Sequence, residues 1–296
     1  AGSCVFRSWT WLCTWWQHYG TDPSRKLHVI EVWEGEPRSA CLSANVHATA
    51  DGENRLVAIL PAYIETTVAR GKVLRLLGDG EVCSDHLDLL VTATNANRCA
   101  AAIAEHLTSN QADWDLIDFP TLDLAGDQTK ISALIDALEQ HDCQVSRTPD
   151  LNTWSIELPE TWEDFLRLQS KSHRKQLRRL EKRVLETDAC RWHQVNLLDE
   201  FDRAWETLID LHQKRRISLG EPGCFASQKW SAFHHDVARQ LLAEGRLRLS
   251  WLELAGKPIA AEYHFAGGRT TFVYQGGLDP ARLDEEPGRL SLIRCI

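Results

Sequence analysis

Methionine is missing altogether from the 296 residues. Either the sequence is an internal segment of a longer chain, or modified methionines are left out of it and some spacings run one residue short. No apolar run approaches the ~20 residues that span a bilayer, so no transmembrane helix is expected. The opening stretch, AGSCVFRSWTWL, lacks the basic start and long apolar core of a secretory signal. Cysteine is present nine times, but never as C-x-x-C and never at a His/Cys spacing that suggests zinc, so no metal is expected. Scattered among apolar neighbours, these cysteines read as small hydrophobes of a reducing, cytoplasmic compartment. There is no Walker-type loop and no Ser-His-Asp order.

What is abundant is tryptophan, with twelve, which promises large buried or cleft-lining rings. The length suits one large domain or two ordinary ones. The net charge is −9, yet Ser170 to Arg183, SKSHRKQLRRLEKR, packs seven Lys/Arg into one predicted helix. Lys171, Lys175, Arg179 and Arg183 stack at i, i+4, with Arg174, Arg178 and Lys182 beside them. Like charges so placed repel by a few tenths of a kcal/mol per pair, so either an anion is met there or the stripe is a solvated face. Leu177, Leu180 and Val184 form the apolar stripe that docks such a helix on a core.

Periodicity and turn residues organise the rest. In the first half a helix is predicted over Ser8 to Tyr19, with Trp9, Leu12, Trp16 and Tyr19 on one face and Ser8 as cap. Leu27 to Trp33 alternates as a strand, and a loop rich in Ala, Ser, Gly and Asn follows. Arg55 to Glu65 reads as a long strand in which Pro61 marks an edge or bulge. Short strands are predicted at Val73 to Leu77, Leu87 to Val91, Trp114 to Phe119 and Cys143 to Ser146, and helices at Ala96 to Leu107 and Thr129 to His141. After Pro149 come a strand (Thr153 to Glu157), helices (Thr161 to Leu168 and Ser172 to Glu186), a strand (Cys190 to Val195) and two long helices (Leu198 to Ile217 and Gln228 to Ala243). An antiparallel meander follows over Arg246 to Leu254, Pro258 to Ala266 and Thr270 to Gln275, turning at Ala255-Gly256-Lys257 and Gly267-Gly268-Arg269. Gly288 then starts a helix. The halves repeat one order of elements, and the mixture argues an α/β or α+β architecture with mixed sheets. The chain stops inside the apolar helical pattern GRLSLIRCI, so the second domain is expected to be incomplete.

The second half carries LHQKRR (211–216), LGEPGCF (219–225), EGRLRLSWLELAGKPIAAEYHF (244–265), VYQGGLDP (273–280) and PGRL (287–290). The first half carries SWTWLCTWW, LVAILPAY and LRLLGDGEVCSDHLDLL. In this ordered set the chain resembles GNAT-superfamily acyltransferases of the CelD and FemAB-like branch, with BioF-like acetyltransferase domains. The resemblance implies tandem GNAT-like domains, 1–150 and 151–296. It also implies acetyl-CoA or another acyl-CoA as co-substrate, its pantetheine along the last meander strand and its pyrophosphate at the start of the next helix. Gln275, Pro287, Gly288, Arg289, Leu290 and Ser291 would then be the cofactor-binding residues. The usual Q/R-x-x-G-x-G/A phosphate loop is not reproduced.

GNAT transfer is direct attack of an amine on the thioester, helped by a base and by donors to the oxyanion. Strand alternation puts Glu262 on a face with Ala260 and His264, opposite Ala261, Tyr263 and Phe265. Glu262 is the candidate base, against the alternative of an outward polar position. Tyr263, Tyr274 and Gln275 are candidate donors to the thioester oxygen, with Tyr274 and His212 assigned to catalysis. His212 and Arg215 share a helix face at i, i+3, where they can hold substrate or pair with Asp210 or Glu206. Arg174, Arg178, Arg215 and Tyr263 are candidate substrate ligands. Asp85, His86 and Asp88 look like a metal or triad fragment but fit a strand start, and His234-His235 reads as helix surface.

The leading expectation is an acyl-CoA-dependent N-acyltransferase with a small-molecule or saccharide acceptor, such as an amino sugar or cell-envelope precursor. A FemAB-like transferase using aminoacyl-tRNA is the alternative, and the only one of the transferase readings with a nucleic-acid partner. A nucleic-acid-binding module without chemistry and a non-catalytic GNAT scaffold in polysaccharide synthesis complete the set.

Overall fold

A computed structural model describes residues 4–35, 55–120, 122, 130–148 and 152–296. The loop expected after Trp33 lies, beyond Gly35, outside the described residues, as do Cys41, Thr129 and Pro149. Contacts divide the chain into two units, Phe6–Leu151 and Asn152–Ile296, the latter with Gly2–Val5.

The first unit opens with α1 (Trp9–Tyr19), where the Ser8 hydroxyl accepts from Trp11 N. The buried face keeps Leu12 and Tyr19 of the one that the sequence suggests but replaces Trp9 and Trp16 by Trp11 and Trp15. Trp11, Leu12, Trp15 and Tyr19 are inside, while Trp9 is 81% exposed. With four tryptophans in the helix, the indole N–H groups decide. Trp11 donates to Ser84 Oγ at 2.8 Å and Trp15 to the Asp79 carbonyl at 3.2 Å, so these two rings can be buried without an orphaned donor. The unit continues with strands β1 (Arg25–Leu27), β2 (Ile30–Glu34), β3 (Arg55–Leu60), β4 (Ala62–Thr67), β5 (Gly71–Leu76), β6 (Leu90–Val91) and β7 (Leu116–Ile117) and with helices α2 (Ala96–Ser109) and α3 (Ile131–Gln140). Pro61, which has no N–H to give, breaks the single strand expected over Arg55 to Glu65. Its halves join different sheets, β2-β3-β6 and β1-β4-β5-β7, the latter ending in a parallel β5–β7 pair. Cys143 to Ser146 forms no strand. Asp88 is a cap: its carboxylate accepts from Lys130 N and Ile131 N at the start of α3 and from Arg7.

The second unit runs α4 (Trp162–Leu168), α5 (Lys171–Leu180), β8 (Cys190–Gln194), α6 (Leu198–Ser218), α7 (Gln228–Ala243), β9 (Leu247–Leu254), β10 (Lys257–Gly267), β11 (Thr270–Leu278) and α8 (Pro287–Cys295). Local chemistry explains the starts. The hydroxyls of Thr161, Ser170 and Ser227 accept the N–H of Asp164, His173 and Trp230, and Glu200 reaches back to Asn196 N and Leu197 N. The meander turns where expected: Ala255 and Gly256 have φ of 53° and 74°, and Gly268 has 63°. The sheet is antiparallel in the order β11-β10-β9-β8. Thr153 to Glu157 forms no strand, because Trp154 and Ile156 stand exposed with no sheet face to cover.

Both sheet faces are covered. Ala261, Tyr263 and Phe265 face α6 and α7, where Trp205 meets Tyr263 edge-on at 5.3 Å. On the other face Ala260 and Ile259 share a core with Leu290 and Ile293 of α8 and with Leu177, Leu180 and Val184. That core docks α5 by the stripe expected, and a π-turn at Glu181–Leu185 extends it. Backbone approaches backbone closely at Gly277, where a Cβ would sit 2.4 Å from His212 N and 2.7 Å from the Leu211 carbonyl carbon. Backbone cannot step aside, so Gly277→Ala is expected to cost about 1–3 kcal/mol through overpacking. Urea unfolding checks it, and a change within about 0.5 kcal/mol, the range of neutral surface changes, would refute this account.

Candidate active site

A cleft of about 320 Å³ opens between α6 and β11. Its walls include His212, Arg215 and Arg216 of α6, Gly276, Gly277 and Leu278 of the edge strand, Glu262 of β10 and Gly288 of α8. Sequence reasoning named His212, Arg215, Glu262 and Gly288 separately, and the fold brings them to one place. Gly276 and Gly277 leave the strand bare, and a Cβ on Gly276 would come within 3.1 Å of Glu262 Oε2.

Glu262 is held on both oxygens. Ser291 Oγ donates to Oε1, and His264 Nε2 lies 3.1 Å from Oε2. The carboxylate is thus an inward, positioned group and not an outward polar one. Arg215 has no ion-pair partner among the described residues, whereas Arg216 is tied to Glu221 at 2.7 Å.

His212 is buried, and its partners fix its tautomer. Gln213 Nε2 donates to the Pro222 carbonyl at 2.8 Å, which turns Gln213 Oε1 toward His212 Nδ1 at 3.0 Å. Nδ1 therefore carries the proton, and Nε2 presents a lone pair to Cys224 Sγ at 3.5 Å. Gly223, at φ 73°, allows this turn, since a Cβ there would strike Gln213 Oε1 at 2.2 Å. Neither Asp210 nor Glu206 is the partner: Asp210 holds Lys214.

Tyr263 and Tyr274 lie elsewhere than expected. His234 is fully buried between them, with Nδ1 3.2 Å from the Tyr263 hydroxyl and Nε2 3.0 Å from the Tyr274 hydroxyl. His234-His235 is therefore not a surface pair; α7 turns His234 inward while His235 stays partly exposed. A β-bulge makes the arrangement possible. Tyr263 pairs with Gln275 but His264 pairs with Val273, so Tyr274 is the extra residue. Tyr274 and Gln275 consequently both point toward the helices, to His234 and to His212. Tyr263 is wholly buried and lines no cleft wall.

The start of α8 is less open than a diphosphate site would be. Pro287 has no N–H, and the N–H groups of Arg289 and Leu290 already bond the Glu286 carbonyl at 3.0 Å. The Glu286 carboxylate takes the Arg289 guanidinium. Leu290 and Ser291 are buried. On α5, Arg178 pairs with Glu163 at 2.6 Å, and Arg174 is half-buried on the same helix. Neither Arg174 nor Arg178 lines the cleft.

Burial holds the imidazoles of His212 and His234 below the ordinary histidine range. Histidines of the unfolded chain take up protons below about pH 6.5, and the native ones resist. This contribution is thus complete above pH 6.5 and is lost as pH falls toward the depressed native values. Unfolding free energy is expected to drop between pH 8 and pH 5.5, by at most about 1.4 kcal/mol per pH unit for each histidine. His234→Phe should flatten the dependence, as urea titrations at several pH values would register.

Residues 171–296 match the family described as an acetyltransferase (GNAT) domain. No curated protein matches the chain by sequence. Among solved structures, the crystal structure of FemX superposes with a TM-score of 0.61 at 9% identity, covering 99% of this chain and 80% of that one. At that identity the likeness is one of fold. The antiparallel meander and the cleft at its edge strand lie within the matched residues, which are similar to an acetyltransferase (GNAT) domain.

Proposed function

We propose that this chain transfers an acyl group, acetyl in the simplest case, from an acyl-CoA to an amine of a sugar, polysaccharide or cell-envelope precursor. The observation that carries the reading is the carboxylate of Glu262, clamped on both oxygens and facing a cleft whose outer wall is bare glycine backbone. A carboxylate so placed can take the proton that an attacking amine must lose. A thioester donor supplies the activated carbonyl. Arg215 offers an uncommitted cation at the rim to orient an anionic group of either substrate. His212, neutral at pH 7, is a hydrogen-bonding wall and not a second charge. Tyr263 and Tyr274 support this wall from within the core.

The residues present offer a thioester's narrow arm a cleft wall at Gly276 and Gly277, which carry no side chain of their own. They fit a diphosphate at α8 through Gly288 and through Arg289 once that guanidinium leaves Glu286. Charge at a helix start is worth about 0.3–1 kcal/mol. Glu286→Gln is therefore expected to tighten CoA binding, and Arg289→Ala to weaken it, each by up to about fivefold. Calorimetric titration with acetyl-CoA and CoA at two salt concentrations tests this, and unchanged affinity in both variants would remove α8 from the donor site.

Glu262→Gln is expected to lower kcat about a hundredfold or more while acetyl-CoA affinity stays level. An unaltered rate would remove Glu262 as base. The assay follows thiol release across a panel of amino sugars and amines.

A second reading is favoured by the exposed basic face of α5 and by the committed state of Glu286 and Arg289. In it the donor is an aminoacyl-tRNA, as the FemAB-like resemblance implies, and phosphates meet Lys171, Lys175 and Arg179. Strongly salt-dependent tRNA binding without CoA binding would select it.

A further inference from the structure

Glu262 sits on a strand, and β10 fixes its Cα but not the direction of its carboxylate. Two buried side chains from different elements supply that direction. His264 is two residues along the same strand, on the same face, and 3% exposed. Its Nε2 lies 3.1 Å from Oε2, so Nε2 must carry the proton to make a bond there. Ser291 comes from α8 and is fully buried. Its single hydroxyl proton has two acceptors in reach, Glu262 Oε1 and, at 3.1 Å, the Gly288 carbonyl one turn back. Gly288 is itself a wall of the cleft. Cys295 brings no second negative charge to the carboxylate: burial and then the Glu262 charge push its thiol up to about 12, so it stays protonated.

We propose that His264 and Ser291 are positioning residues that fix the Glu262 carboxylate toward the cleft, and that Ser291 links its orientation to the start of α8. The proposal rests on the acyl-transfer reading of Glu262 for its consequence, though not for its geometry. With only one of the two partners, the carboxylate can rotate about its last bond and spend its lone pairs on water. Donor binding, made by backbone and rim groups, does not depend on the clamp. The signature is a fall in turnover without a matching change in KM.

The geometry is tested without any substrate, by imidazole nitrogen spectra of the full chain labelled at histidine. The His264 signal, identified by its loss in His264→Gln, should show the proton on Nε2 and should move in Glu262→Gln. A proton on Nδ1, or a signal indifferent to Glu262→Gln, overturns the clamp. Turnover is then measured with acetyl-CoA and the best amine of the panel. Ser291→Ala and His264→Leu should each lower kcat about tenfold to a hundredfold, the loss of one hydrogen bond to a charged group, with KM for acetyl-CoA unchanged. Ser291→Thr and His264→Gln keep a donor and should recover most of the rate, with unfolding midpoints taken for all four. Full turnover in both Ser291→Ala and His264→Leu, beside a collapse in Glu262→Gln, overturns the positioning role and leaves the base. Full turnover in Glu262→Gln overturns the base instead. If no amine is acetylated, the acyl-CoA reading falls while the spectra still decide the clamp.

Discussion

The second unit is organised by one close approach. At Gly277 the backbone of the edge strand meets the backbone of α6 with no room for a side chain. That contact sets how far α6 stands from the sheet, and hence the width of the cleft between His212, Arg215 and the strand. It also obliges the helix to be long and well anchored. The reach of Glu200 back to two N–H groups secures its start, and Phe201, Trp205 and Leu208 bury its inner face. A larger residue at 277 would lift the helix and, with it, one whole wall of the site.

Behind this wall lies a core unlike an aliphatic one. Trp205, Phe225, Trp230, Phe265 and the Tyr263–His234–Tyr274 chain meet ring to ring. Polar atoms are admitted there because each finds a partner inside the cluster. The neutral imidazole is the joint: with one proton and one lone pair it can accept from one phenol and donate to the other. A charged imidazole would lack the acceptor, and burial already disfavours it.

The elements of the second unit were largely legible in the sequence, and the reasons are local. Hydroxyl caps, the Gly-containing turns and the 3.6-residue periodicity of α6 and α7 act within a few residues of one another. Alternation also placed Glu262 and His264 on one face. What the sequence could not show was set by partners far along the chain. Ser291 meets Glu262 across 29 residues, and His234 is claimed by two tyrosines, one of them 40 residues away. The buried face of α1 turned on Ser84 and Asp79, partners more than 60 residues distant. Thr153 to Glu157 has a strand's alternation, but alternation specifies a face and not a neighbour. Only the twin glycines before Leu278 and the glycine at 223 hinted at tight approaches, and a glycine does not say what approaches it.

The bulge at Tyr274 has a consequence for parity. A strand offers each side chain one of two faces, and an extra residue reverses the assignment for everything on one side of it. Were β10 and β11 paired without the bulge, Tyr274 would stand opposite His264, on the carboxylate's side of the sheet, and Val273 would enter the aromatic core in its place. The phenol is thus kept from Glu262 by an odd count of residues and not by distance or bulk. A single insertion or deletion in this strand would exchange an aromatic support for a polar neighbour of the Glu262 carboxylate, with every other strand of the sheet left in register.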